Sequence, residues 1–118
     1  MTTFPAGEYY ITDLCYTSLG TDNLWDEFCD NDNQGEFTFK NGIRVWWHYT
    51  EYGDGIYQDQ FGREYYVDSG LIGIVSVEDV KYKNGLGRIG QKVTFVHPFE
   101  VYYENENFHF GEITISTG

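Results

Sequence analysis

Basic residues are scarce in this chain. Its 118 residues include seven Lys and Arg against nineteen Asp and Glu, which gives a formal net charge of −12 at pH 7. This surplus of negative charge repels phosphate backbones and anionic lipid headgroups at ordinary salt concentrations. The composition therefore argues against direct binding of nucleic acid through a basic face. It favours a basic protein surface, or cations, as the partner.

Long apolar runs are lacking as well. No stretch approaches the roughly 18 apolar residues that span a bilayer, and residues 1–5 lack the basic and apolar blocks of a secretory signal. We therefore expect a cytoplasmic protein with no membrane partner. A chain of this length is typical of a single domain, residues 1–118, built around one core. Its oligomeric state is left open.

Cysteine is limited to Cys15 and Cys29, which form no CxxC pair and have no matching histidines at zinc-ligand spacing. We expect two reduced thiols, no zinc site and no cofactor. Residues 30–35 resemble the first half of an EF-hand loop, with oxygen ligands at Asp30, Asp32 and Gln34. Position 12 of such a loop would be Asn41, which lacks the required carboxylate, so at most a weak calcium site is predicted.

Alternation of apolar and polar residues dominates the chain and predicts β-strands. Asn41-Gly42 between two such runs is a strong hairpin signal, and the turn at residues 60–63 predicts a second hairpin. The apolar run 71–75 indicates a strand buried on both faces. We expect Pro98 to bend a long strand or to mark an edge or a bulge in it, and a change of phase at Gly111 to mark a β-bulge.

The predicted fold is thus mainly β. Seven to nine short antiparallel strands form a single-domain sandwich or partly closed barrel. One short helix is expected near residues 22–30, because Thr21 or Asp22 can cap it and Leu24, Trp25 and Phe28 form an apolar side. Residues 77–80 are expected to form a single helical turn.

Charge is distributed unevenly along the sequence. Residues 1–39 contain eight acids and no Lys or Arg, whereas residues 81–92 contain four bases and no acid. The leading hypothesis is a non-enzymatic binding protein whose acidic lobe engages and blocks a basic protein surface, by mimicry of nucleic acid in one version. Neighbouring strand residues alternate between faces, so one of Trp46 and Trp47 leaves any single-sided core and can anchor the partner. The predicted partner-binding residues are Asp22, Trp25, Asp26, Glu27, Asp30, Asp32 and Trp47.

A second hypothesis is a small-ligand binder that stacks a nucleotide-like ring on aromatic side chains. Residues 85–90 match GxGxxG, but a strand follows where a dinucleotide fold needs a helix, so that cofactor is rejected. The remaining feature is a basic, glycine-rich loop able to hold a phosphate. The ligand-binding residues under this alternative are Lys81, Lys83, Arg88, Lys92, Asp54 and Asp68.

A third hypothesis is a metal-assisted hydrolase that uses Asp54, Asp59 and Asp68, which lie near glycines at predicted strand ends. Asp54 and Asp68 should meet at one end of the hairpin formed by residues 56–59 and 64–67, where mutual repulsion would raise one pKa. A catalytic triad is disfavoured, since His48, His97 and His109 all lie within apolar strand patterns or beside a proline.

The opening string Gly7-Glu-Tyr-Tyr-Ile-Thr-Asp-Leu-Cys-Tyr16 is followed by Trp25-Asp-Glu-Phe-Cys29, and later by the segments 52–59 and 66–73. These segments resemble a group of small uncharacterised proteins of bacteria and their phages, which open with Gly-x-Tyr-x-Ile-x-Asp-x-Cys-Tyr. The resemblance covers residues 5–75 and implies no established activity. It favours a phage or mobile-element origin, in which a small acidic protein binds and blocks a host component.

Overall fold

Eleven β-strands account for most of the chain that the structure describes, and they follow the alternating segments of the sequence. The structure is a computed structural model, and it describes residues 2–14, 34–39, 42–68, 70–80 and 90–117. The strands are β1 (Thr2–Phe4), β2 (Gly7–Thr12), β3 (Gly35–Thr38), β4 (Arg44–Tyr49), β5 (Gly55–Asp59), β6 (Glu64–Val67), β7 (Leu71–Ser76), β8 (Gln91–Phe95), β9 (Phe99–Glu104), β10 (Asn107–Phe110) and β11 (Ile113–Ser116).

The strands pair into two separate antiparallel sheets. The six-stranded sheet has the order β1-β9-β10-β11-β5-β6, and the five-stranded sheet has the order β3-β4-β7-β2-β8. The sheets pack face to face through one shared apolar core, to which both contribute. The fold is therefore a sandwich that does not close into a barrel, which confirms the mainly-β antiparallel prediction.

The core between the sheets is built from alternate strand positions. In β10 the buried residues are Phe108 and Phe110, and in β11 they are Ile113 and Ile115, whereas the residues between them are partly or fully exposed. Across from them, Trp46 of β4 packs its indole edge-on against the rings of Phe108 and Phe110, with centroids 6.0 and 5.6 Å apart. Edge-to-face geometry of this kind adds to the free energy of burying the rings.

A second apolar cluster lies on the other side of the five-stranded sheet. It contains Tyr10, Trp47 and Val75, which point away from the core between the sheets, together with Leu14 and Phe39. Strand β7 lies between β4 and β2 and contributes to both clusters, so its first five residues are all buried. This confirms the prediction of a strand buried on both faces.

Both predicted hairpins are present. β3 pairs with β4, and the chain closes between them with hydrogen bonds from the Phe39 amide to the Ile43 carbonyl (2.8 Å) and from the Gly42 amide to the Phe39 carbonyl (2.9 Å). β5 pairs with β6, with Gly55 opposite Val67. The turn signals in the sequence thus predicted both strand pairings.

Two local predictions were wrong in detail. Gly111 does not mark a bulge within one strand: Phe110 pairs with Ile113, so Gly111, with φ of +61°, and Glu112 form the turn of a hairpin between β10 and β11. Pro98 does not bend a continuous strand either. It lies between β8 in the five-stranded sheet and β9 in the six-stranded sheet, so the chain changes sheet there.

A 3-10 turn at Val77–Asp79 lies where a helical turn was predicted. The helix predicted near residues 22–30 lies outside the described residues. In the described chain, no helix has the length and apolar character needed to cross a membrane.

Candidate binding surfaces

Most of the residues predicted to bind a basic partner or a phosphate lie outside the part of the chain that the structure describes. This applies to Asp22, Trp25, Asp26, Glu27, Asp30 and Asp32, and to Lys81, Lys83 and Arg88. The described members of these sets are Trp47, Asp54, Asp68 and Lys92, and the structure also describes Gln34, the third predicted calcium ligand.

Gln34 and Lys92 each make a contact within the chain. The Oε1 atom of Gln34 accepts a hydrogen bond from the backbone amide of Tyr49 at 2.8 Å, beside the start of β3. The Nζ atom of Lys92 lies 3.5 Å from a carboxylate oxygen of Glu8 on the adjacent strand. Gln34 was predicted as a calcium ligand together with Asp30 and Asp32. Within the described residues, no group of three or more His, Cys, Asp or Glu side chains is arranged to hold a metal ion.

Trp47 is not an exposed anchor. Trp46 and Trp47 do point to opposite faces of β4, as the alternation requires, but their exposed fractions are only 4% and 2%. The prediction failed because it assumed a single buried face, whereas this sheet has an apolar cluster on each side. Trp47 instead packs edge-on against Tyr49, with ring centroids 4.9 Å apart.

Asp54 and Asp68 lie at the same end of the β5–β6 hairpin, as predicted, and both line a shallow depression beside Gly55 and Val67. The backbone of Asp68 is held in place by Asp13, whose carboxylate Oδ2 accepts the Asp68 amide hydrogen at 2.8 Å. Asp13 itself is fully buried at the end of β2. This contact therefore ties the hairpin of one sheet to a strand of the other.

Asp59, the third acid of the predicted hydrolase cluster, holds its own turn together. Its buried carboxylate accepts hydrogen bonds from the Phe61 amide (2.9 Å), the Arg63 amide (3.1 Å), the Arg63 Nε atom (2.8 Å) and the Tyr65 hydroxyl (2.8 Å). Both carboxylate oxygens are thus engaged by the β5–β6 turn. Asp59 points between the sheets, whereas Asp54 and Asp68 lie at the other end of the hairpin.

The pKa values of this network follow from its contacts. Burial by itself would raise the pKa of Asp59, but the hydrogen bonds from Tyr65, from the Arg63 and Phe61 amides and from the Arg63 guanidinium outweigh it. They hold the pKa of this carboxyl below its ordinary value. Burial and the neighbouring carboxylate raise the pKa of Tyr65. Asp59 is therefore ionised and Tyr65 neutral throughout the physiological range.

The outward side of the six-stranded sheet, which we call the open face, is exposed to solvent. Register places partners side by side on it: Tyr102 opposite His109, and His109 opposite Thr114. The rings of Tyr102 and His109 are stacked with centroids 4.4 Å apart. The strand residues on this face are Thr3, Ile56, Gln58, Glu64, Tyr66, Glu100, Tyr102, Glu104, Asn107, His109, Thr114 and Ser116.

The open face is acidic. Its strand positions include the exposed carboxylates of Glu64, Glu100 and Glu104 but no Lys or Arg. Elsewhere, each Arg or Lys within the described ranges is paired with an acid: Arg44 with Glu36, Arg63 with Asp59 and Lys92 with Glu8. The cations of the described chain are thus locally neutralised, and the negative charge of the open face is left without a counterpart on its own sheet.

A second surface feature is a pocket of about 360 Å³ at one end of the sandwich, which we call the end pocket. It lies where the turn after β5, the β8–β9 connection and the β10–β11 turn converge. Phe61 and Val96 are exposed to 67% and 79% at its edge, and the stacked rings of Phe95 and Phe99, 3.7 Å apart, form one wall. The lining residues are Phe61, Arg63, Val93, Thr94, Phe95, Val96, His97, Pro98, Phe99, Gly111, Glu112 and Ile113.

A smaller pocket of about 280 Å³ lies beside the β1–β2 connection and is lined by Phe4, Arg44, Glu78 and Asp79 among others. The Arg44 guanidinium stacks over the Phe4 ring at 4.1 Å and pairs with Glu36. Burial, together with the charge of Glu78, raises the pKa of Asp79. This pocket mixes charges of both signs that are already partly matched within the chain.

The three histidines occupy different places in the fold. His48 stacks on Tyr103 at 3.8 Å between the sheets, and its Nδ1 atom lies 2.7 Å from the Tyr49 carbonyl oxygen. His109 belongs to the open face, and His97 lines the end pocket.

Sequence reasoning missed both the open face and the end pocket. One signal for the end pocket was present, because Phe61 stands in the middle of a tight hairpin turn, where a large apolar residue has little to pack against. The open face had a signal in the alternating Glu100, Tyr102 and Glu104.

Comparison of the chain with models of protein families, with curated proteins and with solved structures finds no match in any of the three.

Proposed function

We propose that this chain is a non-enzymatic, acidic binding protein that engages and blocks a basic surface of another protein through its open face. The observation that supports this most directly is the difference between the two broad sides of the sandwich. The three central strands of the five-stranded sheet, β4, β7 and β2, bury apolar residues on both faces, whereas the open face is solvent-exposed and carries carboxylates with no cation among its strand residues.

The carboxylates of the open face are available for a partner, because they do not stabilise the fold through ion pairs in the described chain. Glu100 and Glu104 form no ion pair in the described chain, and the residues opposite them on the neighbouring strands are Thr3 and Asn107. A negative patch of this kind steers a positive partner and raises the association rate. Around it, Ile56 (59% exposed) and the Tyr102 ring supply apolar area that a partner can cover.

The net charge of −12 acts in the same direction, since it attracts a basic surface from any approach and disfavours anionic ligands. The resemblance to bacterial and phage proteins adds the proposal that the partner is a host protein. Small-ligand binding through the basic loop depends on residues 81–89, which lie outside the described chain, and it stays the alternative prediction. A hydrolase that uses Asp59 would first have to free a carboxylate that four donors already hold.

The test is a pull-down from a lysate of the cells that encode the chain, with bound proteins quantified at low and high salt. The double variant Glu100→Gln/Glu104→Gln removes two charges from the open face. Glu51→Gln/Glu78→Gln is the matched control, because it removes two exposed carboxylates that lie in a loop and in the 3-10 turn. We expect a basic protein to be captured by the wild type and by the control, and to be lost from the open-face variant and at high salt. Equal capture by both variants would contradict the proposal.

A further inference from the structure

We propose that the end pocket receives a single aromatic side chain from the basic partner, so that the partner segment carries an aromatic residue flanked by Lys or Arg. This inference rests on the proposed function and adds the anchoring contact to it. Acidic steering gives a fast encounter, but the residues that hold a complex together are typically a few large side chains seated in pockets.

The end pocket presents apolar surface that the fold itself does not need. Val96 is 79% exposed and Phe61 is 67% exposed, although large apolar side chains gain free energy when they are removed from water. Both belong to the same pocket, so they form one apolar rim instead of two isolated side chains. Grouped exposed apolar residues rimmed by polar ones are typical of interaction sites.

The pocket is held in shape before anything binds. The Asp59 carboxylate fixes the Phe61 amide at 2.9 Å and the Arg63 guanidinium at 2.8 Å, and the Phe95–Phe99 stack forms a firm wall. At Gly111, which has φ of +61°, an added Cβ would come within 3.1 Å of the Phe95 ring and 3.2 Å of Phe99 Cβ. Glycine therefore keeps this corner of the pocket open, and a preformed pocket costs little ordering on binding.

The size of the pocket argues for one side chain. Its volume of about 360 Å³ is near the lower limit of small-molecule sites, which span roughly 300–1,000 Å³. Its lining combines the aromatic rings of Phe95 and Phe99 with the aliphatic side chains of Val93 and Ile113. A planar aromatic ring can stack or pack edge-on against such walls.

The charges around the pocket indicate which residues should flank the partner's aromatic side chain. Arg63, the pocket's guanidinium, is already paired with Asp59, whereas Glu112 lines the pocket with its side chain exposed and in no ion pair in the described chain. The pocket also adjoins the open face: the Gly111 amide donates to the carbonyl of Glu100 at 2.9 Å. Basic residues on either side of the inserted ring would therefore lie over Glu112 and Glu100.

The experiment measures binding of two synthetic peptides to the full chain by fluorescence anisotropy. One is a short Lys-rich peptide with a single central Trp, and the other has Ala in place of that Trp. We expect the Trp peptide to bind the wild type about tenfold or more tightly than the Ala peptide, the loss typical of truncating an anchor residue. The variants Phe61→Ser and Val96→Ser should remove this preference, and because both side chains are exposed the variants should still fold.

Tyr52→Ser is the matched control. Tyr52 is 72% exposed and lies before β5, whereas Phe61 lies after it, so the control removes an aromatic ring at the opposite end of the sandwich. Circular dichroism checks that each variant retains its β structure. Retention of the Trp preference in the control and its loss in the pocket variants would support the inference.

Two outcomes separate this inference from the proposed function. If the Trp and Ala peptides bind equally, while Glu100→Gln/Glu104→Gln weakens both, the pocket inference is overturned and the acidic open face stands. If the Trp preference depends on Phe61 and Val96 but the carboxylate variant binds as well as the wild type, the pocket is supported and the open-face proposal fails. Equal loss in Tyr52→Ser and in the pocket variants would also overturn the inference.

Discussion

Replacement of Asp59 by Ala tests whether the β5–β6 turn is held by a buried carboxylate. Four donors converge on this side chain, from Phe61, Arg63 and Tyr65. The turn carries Phe61 into the end pocket, so the same contacts that stabilise the hairpin also position the proposed anchor site. Loss of the carboxylate should therefore reduce the free energy of unfolding and disturb the pocket together.

The loss of unfolding free energy depends on which of the four donors can hydrogen-bond to water once the carboxylate is removed. The Arg63 side chain is 35% exposed and Phe61 lies at the surface, so their donors can be rehydrated. The Tyr65 hydroxyl cannot, because this residue is fully buried. An orphaned buried hydroxyl costs about 1–3 kcal/mol, and the lost bonds to a charged acceptor add to it, so we expect Asp59→Ala to cost about 3 kcal/mol. That loss corresponds to a fall of roughly 10 °C in Tm.

The assay is urea unfolding followed by tryptophan fluorescence, with Asp59→Asn added for the pH dependence. Because the folded-state pKa of Asp59 is lowered, its contribution is fully present above the unfolded value of about 3.9. It is lost as the pH falls through the folded value. The stability difference between wild type and Asp59→Asn should therefore stay constant from about pH 7 to pH 5 and shrink below about pH 4.

A double-mutant cycle with Tyr65→Phe identifies the cause. Once the Tyr65 hydroxyl is removed, Asp59→Ala no longer orphans it, so the double variant should lose less than the sum of the single variants by about 1 kcal/mol or more. Strict additivity, or a loss below about 0.5 kcal/mol for Asp59→Ala, which is within the usual range for surface substitutions, would refute the reasoning.

Two further substitutions test the packing and the turn chemistry. Gly73→Ala should lower the free energy of unfolding in urea by roughly 1–3 kcal/mol, because a Cβ there would lie 2.7 Å from the Trp46 carbonyl oxygen and 2.8 Å from the Leu14 side chain. Glu106→Gly should raise the free energy of unfolding by about 0.5 kcal/mol, since Glu106 has φ of +65° in the β9–β10 turn. Thermal melts check this change, with Glu104→Gly as the control. Glu104 lies in strand β9, where glycine is unfavourable, so this variant should have a lower Tm than the wild type.

Local sequence signals predicted the hairpins because a hairpin is a local structure. Asn41-Gly42 and the turn at residues 60–63 join strands that are neighbours in the chain, and the conformational preferences of a few residues decide the pairing. The apolar run in β7 was equally informative, since a strand with no polar side has to be covered on both faces.

Pairings between distant segments gave no such signal. The chain passes from one sheet to the other at Pro98, yet the alternation before and after this residue reads as one long strand. A local pairing was also misread at Gly111, because the break in phase there fits a bulge or a turn equally well, and only the pairing of Phe110 with Ile113 decides between them. The end pocket depends on both of these connections, so its residues could not be assembled from sequence alone.

The two sheets differ in a way that links folding to the proposed function. Strands β4, β7 and β2 carry apolar residues on both faces, and this composition forces the five-stranded sheet to be covered on each side. Strands β9, β10 and β11 alternate strictly, so the six-stranded sheet buries one face and leaves the other in water. The burial of Trp47 and the exposure of Glu100 are therefore consequences of the same rule applied to different strands. Under the proposed function, the exposed face of the six-stranded sheet meets the partner, and its acids require that the partner surface be basic.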